Sequence, residues 1–319
     1  MTILYPEIEP YESGFLDVGD GHSLYWEACG NPNGRPALYL HGGPGSGCSA
    51  FARRYFDPSV YRIVLFDQRN CGRSVPNAAE METDLETNTT WHLVEDIEKL
   101  RCHLQVTSWL LLGTSWGSTL ALAYAETYPA FTRAIVLSGV TTTRPSEIEW
   151  LTAGMARLFP AEWDLLLDAL PANLREAGVL EGYHRLLNSP NLATRIEAAR
   201  DWHKWEAASI LLADPAGLPR RWRDPIYLLT RARIITHYFR NRAWLDDGAL
   251  LRNTGPLASI PGILVQGRLD LEAPLVTAWE LSRAWPQSQL VIVENAAHSV
   301  SHDGLARAIV DATDKFREI

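Results

Sequence analysis

Short apolar runs set the rhythm of this chain, separated by longer stretches of helical periodicity. Arg35–His41 (RPALYLH), Tyr61–Asp67 (YRIVLFD), Trp109–Leu112 (WLLL) and Ala134–Leu137 (AIVL) form such runs. A strand with one wet face alternates apolar and polar residues. A strand that stays apolar along its length is covered on both faces, as in a mostly parallel sheet flanked by helices. STLALAYAETYP, after the third run, has helical spacing. From about Thr141 the character changes: Trp, Leu, Arg and Glu dominate, and SEIEWLTAGMARLF and RARIITHYF read as amphipathic helices. Strand runs return at Ile260–Gln266 (IPGILVQ) and Gln289–Val293 (QLVIV), and Gly304–Phe316 reads as a closing helix. The pattern predicts a core domain made of residues 1–140 and 244–319, interrupted by a helical cap over 141–243.

The length of 319 residues suits one large domain with an insertion better than two independent ones. A formal net charge of −9 disfavours nucleic acid and anionic membrane surfaces as partners. The amino-terminal MTILYPEIEPYESG has no basic start followed by an apolar run, and no apolar stretch is long enough to span a bilayer. A cytoplasmic protein is the expectation. Cys29, Cys48, Cys71 and Cys102 are scattered without a C-x-x-C pair, so reduced thiols are expected and a zinc site is not.

Candidate chemistry begins at GTSWG, Gly113–Gly117, a G-x-S-x-G sequence between a predicted strand and a predicted helix. That is the setting of a nucleophile elbow, in which Ser115 projects from a strained turn at the sheet edge. A lone serine needs a base. With this elbow the acid and then the histidine follow in sequence. His298 is the leading base, because it follows the strand QLVIV and the turn ENAA; His302 is the rival, read as lying inside the next helix. Asp270 ends QGRLD directly after an apolar run and is the leading acid. Glu272 is its rival, and Asp303 lies too near His298 to come from a separate strand. HGGPG, His41–Gly45, supplies an oxyanion loop, with the Gly43 and Trp116 N–H groups as the expected donors.

With these residues in place the chain resembles the prolyl aminopeptidases, or proline iminopeptidases, serine peptidases of the α/β-hydrolase fold. The matches include HGGPGSG, DQRNCGRS (Asp67–Ser74), NTTWHLVEDIEKLR (Asn88–Arg101), WHKWE (Trp202–Glu206), HYF (His237–Phe239), GRLD and AAHS. The resemblance implies release of an N-terminal proline without metal or cofactor. It also implies a helical cap that blocks longer amino-terminal extensions and carboxylates there that hold the substrate's free amino group. Glu206 matches one of those carboxylates. The second position is Ile235, Thr141 stands where an aromatic residue is expected, and Leu269 and Ala273 replace a tyrosine and a cysteine. Loss of one partner of a buried charge pair costs about 2–5 kcal/mol, roughly thirty-fold to several-thousand-fold in discrimination. Intact chemistry with weakened action on simple prolyl substrates is therefore expected.

Three readings follow. The first is an aminopeptidase acting on short peptides or amides with proline or another small residue at the amino terminus. The second is a hydrolase of a non-peptide ester, lactone or amide, favoured by Ile235 and Thr141. The third is a ligand-binding homologue without catalysis.

Overall fold

The computed structural model describes residues 3–210 and 217–319; residues 1–2 and 211–216, the latter inside the segment read as a cap, lie outside it. The strands are β1 Glu12–Gly19, β2 His22–Gly30, β3 Arg35–Leu40, β4 Tyr61–Phe66, β5 Trp109–Thr114, β6 Thr132–Ser138, β7 Gly262–Gly267 and β8 Ser288–Val293. They form one sheet in the order β1-β2-β4-β3-β5-β6-β7-β8. From β4 to β8 every neighbouring pair is parallel, whereas β1 and β2 run antiparallel at one edge.

The apolar runs of β3 to β7 are covered because successive side chains feed two different cores, whereas β8, at the far edge, is half-buried. Leu38, Val64, Leu111, Ile135 and Leu264 point into one; Ala37, Ile63, Leu110, Val136 and Ile263 point into the other. The helices are α1 Thr90–His103, α2 Trp116–Thr127, α3 Pro145–Thr152, α4 Pro160–Asp168, α5 Ala172–Arg175, α6 Val179–Leu187, α7 Leu192–Ile210, α8 Pro225–Arg240, α9 Ala249–Arg252, α10 Leu275–Ala284 and α11 Asp303–Lys315. Leu93 and Ile97 of α1, Leu120 of α2 and Leu281 of α10 fill the first core, and Leu305 and Ile309 of α11 fill the second. Between β6 and β7 the helices α3–α8 build a third core around Trp202, Trp205, Leu229 and Ile235. Helix α8 joins this layer to the sheet, for its Ile234 and Tyr238 belong to the first core while Leu228 and Ala232 belong to the third.

The β1–β2 hairpin is absent from the hydrophobic reading because β1 is an edge strand with most of its residues exposed or half-exposed. Its usable signal is the Asp20–Gly21 pair, both at positive φ (54° and 75°), which is what a tight hairpin turn requires. SEIEWLTAGMARLF is not one helix: α3 stops at Thr152 and a 3₁₀ turn covers Gly154–Arg157. The Trp150 ring folds over Gly154 so closely that a Cβ there would sit 2.8 Å from it. None of the described helices is long and apolar enough to cross a membrane.

Candidate active site

Ser115 occupies the turn between β5 and α2 at φ 54° and ψ −125°, a backbone conformation that costs a non-glycine residue strain energy. The flanking glycines make the turn sterically possible. A Cβ at Gly113 would meet the Gly117 carbonyl oxygen at 2.2 Å, and one at Gly117 would meet that of Leu40 at 2.0 Å. The same crowding brings the His41–Gly45 loop over the elbow, with Gly42 placed so that a Cβ would lie 3.1 Å from that of Ser115.

The DQRNCGRS block fixes this loop. Gln68 donates its N–H to His41 Nε2 (3.1 Å), its Nε2 to the His41 carbonyl (3.0 Å), and accepts the Trp116 indole N–H (3.0 Å). His41 Nε2 is therefore an acceptor and Nδ1–H faces the Gly42 carbonyl at 3.0 Å; burial lowers the pKa of this imidazole to about 4, keeping it neutral. Asp67 accepts from the N–H groups of Cys48 (2.7 Å) and Arg73 (2.9 Å) and from Arg73 Nε (2.8 Å). Arg69 makes a two-pronged pair with Asp96 at 2.7 and 2.9 Å, both side chains fully buried. Asn88 donates to the Arg69 carbonyl and accepts from Tyr238 Oη (2.7 Å), which ties α8 to the loop. The family-like blocks DQR, NTTW and HYF thus form one polar frame around the elbow. Sequence reading treats them only as markers.

Asp270 lies in the turn after β7, where it accepts from the N–H groups of Glu272 (3.0 Å) and Ala273 (2.8 Å) and from Gln266 Nε2 (3.1 Å). His298, in the loop after β8, presents Nδ1 to both Asp270 oxygens at 2.9 and 3.0 Å. Gly139, at φ 60°, leaves room for the imidazole, since a Cβ there would lie 3.0 Å from its Cε1. Burial alone would lower the His298 pKa, but the Asp270 carboxylate, with help from Glu272, outweighs it and raises the value to about 9. His302 is not within the following helix but caps it, its Nδ1 accepting the Gly304 N–H at 3.2 Å. Asp303 opens α11.

Two cavities meet at Ser115. One, of about 50 Å³, is walled by Trp202, Trp205, Met155, Leu151 and Phe239 of the helical layer together with Trp116, Thr141 and Glu206. The other, of about 170 Å³, contains His298, Tyr39, Arg221 and Tyr227. Gly43, Ser115, Arg231 and Glu272 line both. Thr141 is held at the wall by its N–H, which donates to Ser118 Oγ (2.9 Å), and by its carbonyl, which accepts from Thr119 Oγ1 (2.9 Å). Ile235 lies elsewhere: it is fully buried in the apolar core of the helical layer and is not among the lining residues.

Glu206 reaches the small cavity from α7 already engaged. Trp202 Nε1 donates to its Oε1 (3.0 Å) and Arg231 pairs with its Oε2. Burial works to raise its pKa, yet the adjoining guanidinium holds it below the usual value. His203 accepts from Arg231 at Nε2 (3.1 Å) and offers Nδ1–H to the Ala199 carbonyl (2.8 Å), so it is neutral, its pKa lowered to about 4 by burial. Arg231 and Glu272 are the site residues whose placement the sequence reading missed. In the sequence Glu272 stands out only as a rival to Asp270.

Sheet order, elbow and histidine loop define an α/β hydrolase, and a family model described as the alpha/beta hydrolase fold matches residues 36–305. A probable proline iminopeptidase of Streptomyces coelicolor is 48% identical over 317 residues, covering 98% of this chain and 97% of the relative. The proline iminopeptidase of Xylella fastidiosa is 46% identical over 318 residues (99% and 100% covered), and that of Arabidopsis thaliana 44% over 318 residues (99% and 82%). The chain belongs to the proline iminopeptidase family of α/β-hydrolase serine hydrolases. Among solved structures, VinJ superposes with a TM-score of 0.68 at 19% identity (97% and 99% covered) and a proline iminopeptidase of Mycobacterium smegmatis with 0.64 at 18% (96% and 99%), likenesses of fold.

Proposed function

We propose that the chain is a serine aminopeptidase that releases an N-terminal proline, or another small residue, from short peptides or amides through an acyl-enzyme. The observation that carries this reading is the position of Ser115 where a small enclosed cavity meets a larger one containing the Asp270-oriented His298. The enclosed side has about 50 Å³. At roughly 10–15 Å³ per water-sized group, it suits a short acyl residue and not a chain. The larger side suits the leaving amine or peptide.

In the proposed mechanism His298 takes the Ser115 proton as Oγ attacks the scissile carbonyl. The Gly43 and Trp116 N–H groups receive the oxyanion; Trp116 opens α2, whose first N–H groups have no acceptor within the helix. Asp270 holds the imidazole by Nδ1 and stabilises its cation. His298 then protonates the leaving nitrogen, and water resolves the ester. The helices over 141–243 act as the cap that closes the acyl side, on the core formed by 1–140 and 244–319. Hydrolysis of alanyl and prolyl 4-nitroanilides by the purified chain, abolished in Ser115→Ala, tests the reading. Hydrolysis of neutral esters alone would replace it with the ester-hydrolase reading.

A further inference from the structure

We propose that Glu272, rather than Glu206, is the carboxylate that receives the substrate's free amino group. The assignment rests on the aminopeptidase reading above and names the residue that sets its specificity.

The scissile carbonyl carbon must come to Ser115 Oγ, and the α-amino nitrogen lies two bonds from that carbon, about 2.5 Å away. The amine therefore falls at the junction of the two cavities. Of the four residues that line both, Arg231 and Glu272 are the ionisable ones. Arg231 repels an ammonium, which leaves Glu272.

The two carboxylates differ in what already holds them. Glu206 has both oxygens occupied, by the Trp202 indole and by the Arg231 guanidinium. Arg231 is itself fixed by Ser46 Oγ (3.2 Å) and His203 Nε2 (3.1 Å). An ammonium arriving at Glu206 would have to share that carboxylate with a guanidinium of like charge. Glu272 accepts from Ser209 Oγ at Oε1 (2.7 Å), while its Oε2 makes no hydrogen bond among the described residues. That second oxygen lies 3.8 Å from His298 Nε2, and the side chain is only 13% exposed. Glu272 lines both cavities, so a carboxylate oxygen that has no donor is open to an arriving cation, whereas one already shared with a guanidinium is not. The Glu272 N–H donates to Asp270 Oδ1 (3.0 Å), so the carboxylate that orients the base also positions this one.

The charged groups facing Glu272 are His298, Glu206 and Arg231. Burial above all, with Glu206, raises its pKa on balance, against the pull of His298, the Ser209 hydrogen bond and Arg231. A docked ammonium adds to that pull and favours the ionised form. An N-acylated residue brings no cation and leaves Glu272 unmatched, so the site selects for a free amino terminus.

The test uses the full chain with alanyl 4-nitroanilide, which carries the amine, and 4-nitrophenyl butyrate, which does not. Glu272→Gln should lower kcat/KM on the anilide at least about thirty-fold more than on the ester, with Glu272→Asp recovering part of the difference. Glu206→Gln should depress both substrates to a similar degree. Fluorophosphonate labelling of Ser115 verifies that each variant is folded, and the aspartate variant alone decides the matter if the glutamine variant is not. Equal losses on both substrates in the Glu272 variants, or a selective loss in Glu206→Gln, overturns the assignment alone. A wild-type chain that cleaves the ester and no aminoacyl anilide overturns the assignment and the aminopeptidase reading together.

Discussion

Ser115 and Glu206 face the same cavity, yet opposite means hold them. The Ser115 side is backbone geometry: glycines at 113, 117 and 139 admit close approach, and the strands beneath are apolar on both faces. The Glu206 side is a side-chain charge network spanning α7, α8 and the loop after β3, with Arg231 bonded to Glu206, His203 and Ser46. Backbone geometry is rigid and does not depend on what is bound. A charge network depends on every member being present, since an uncompensated buried charge is costly. The sheet half is thus suited to fixed chemistry, and the helical half to adjustable specificity.

The largest expected effect lies on the sheet side. Ser115→Ala should lower kcat on any accepted substrate by about 10⁴–10⁶-fold with an unchanged thermal midpoint, measured by steady-state kinetics and melting. Gly117→Ala forces a methyl to within 2.0 Å of the Leu40 carbonyl oxygen. It should destabilise by more than about 4 kcal/mol or prevent soluble expression. On the helical side, Arg231→Met leaves Glu206 buried and unpaired and should cost about 3–5 kcal/mol in urea unfolding. Adding Glu206→Gln should return most of that loss. If the single change is neutral, the contrast between the two halves fails.

A subtler effect links the halves. Because the folded state raises the His298 pKa to about 9, the free enzyme should gain kcat/KM as pH rises, with a limb near that value. The sign for stability is opposite. The contribution of this imidazolium is fully present below its unfolded pKa of about 6.5 and is lost as pH climbs through the folded value. Glu272 is one of the charges raising it, so Glu272→Gln should move the kinetic limb toward neutrality. A limb that stays in place would separate Glu272 from the base electrically.

The parallel strands β3 to β8, the elbow around Ser115 and the positions of Asp270 and His298 could be read from sequence because each is local. An apolar run, a glycine two residues from a serine, or a polar residue just past a strand needs no distant partner to be recognised. Tertiary structure alone decided which carboxylate is paired and which lies at the junction of the two cavities. Ile235, expected at the pocket, packs into the helical core, because it shares a face of α8 with Leu228 and Ala232, and that face joins the cluster around Trp202 and Trp205. Glu206 is paired, and Glu272 is brought to the cavities that Ser115 lines, only once α7, α8 and the turn after β7 converge. A charge's role depends on which other charges lie within a few ångströms, and in this chain those neighbours are separated by tens of residues.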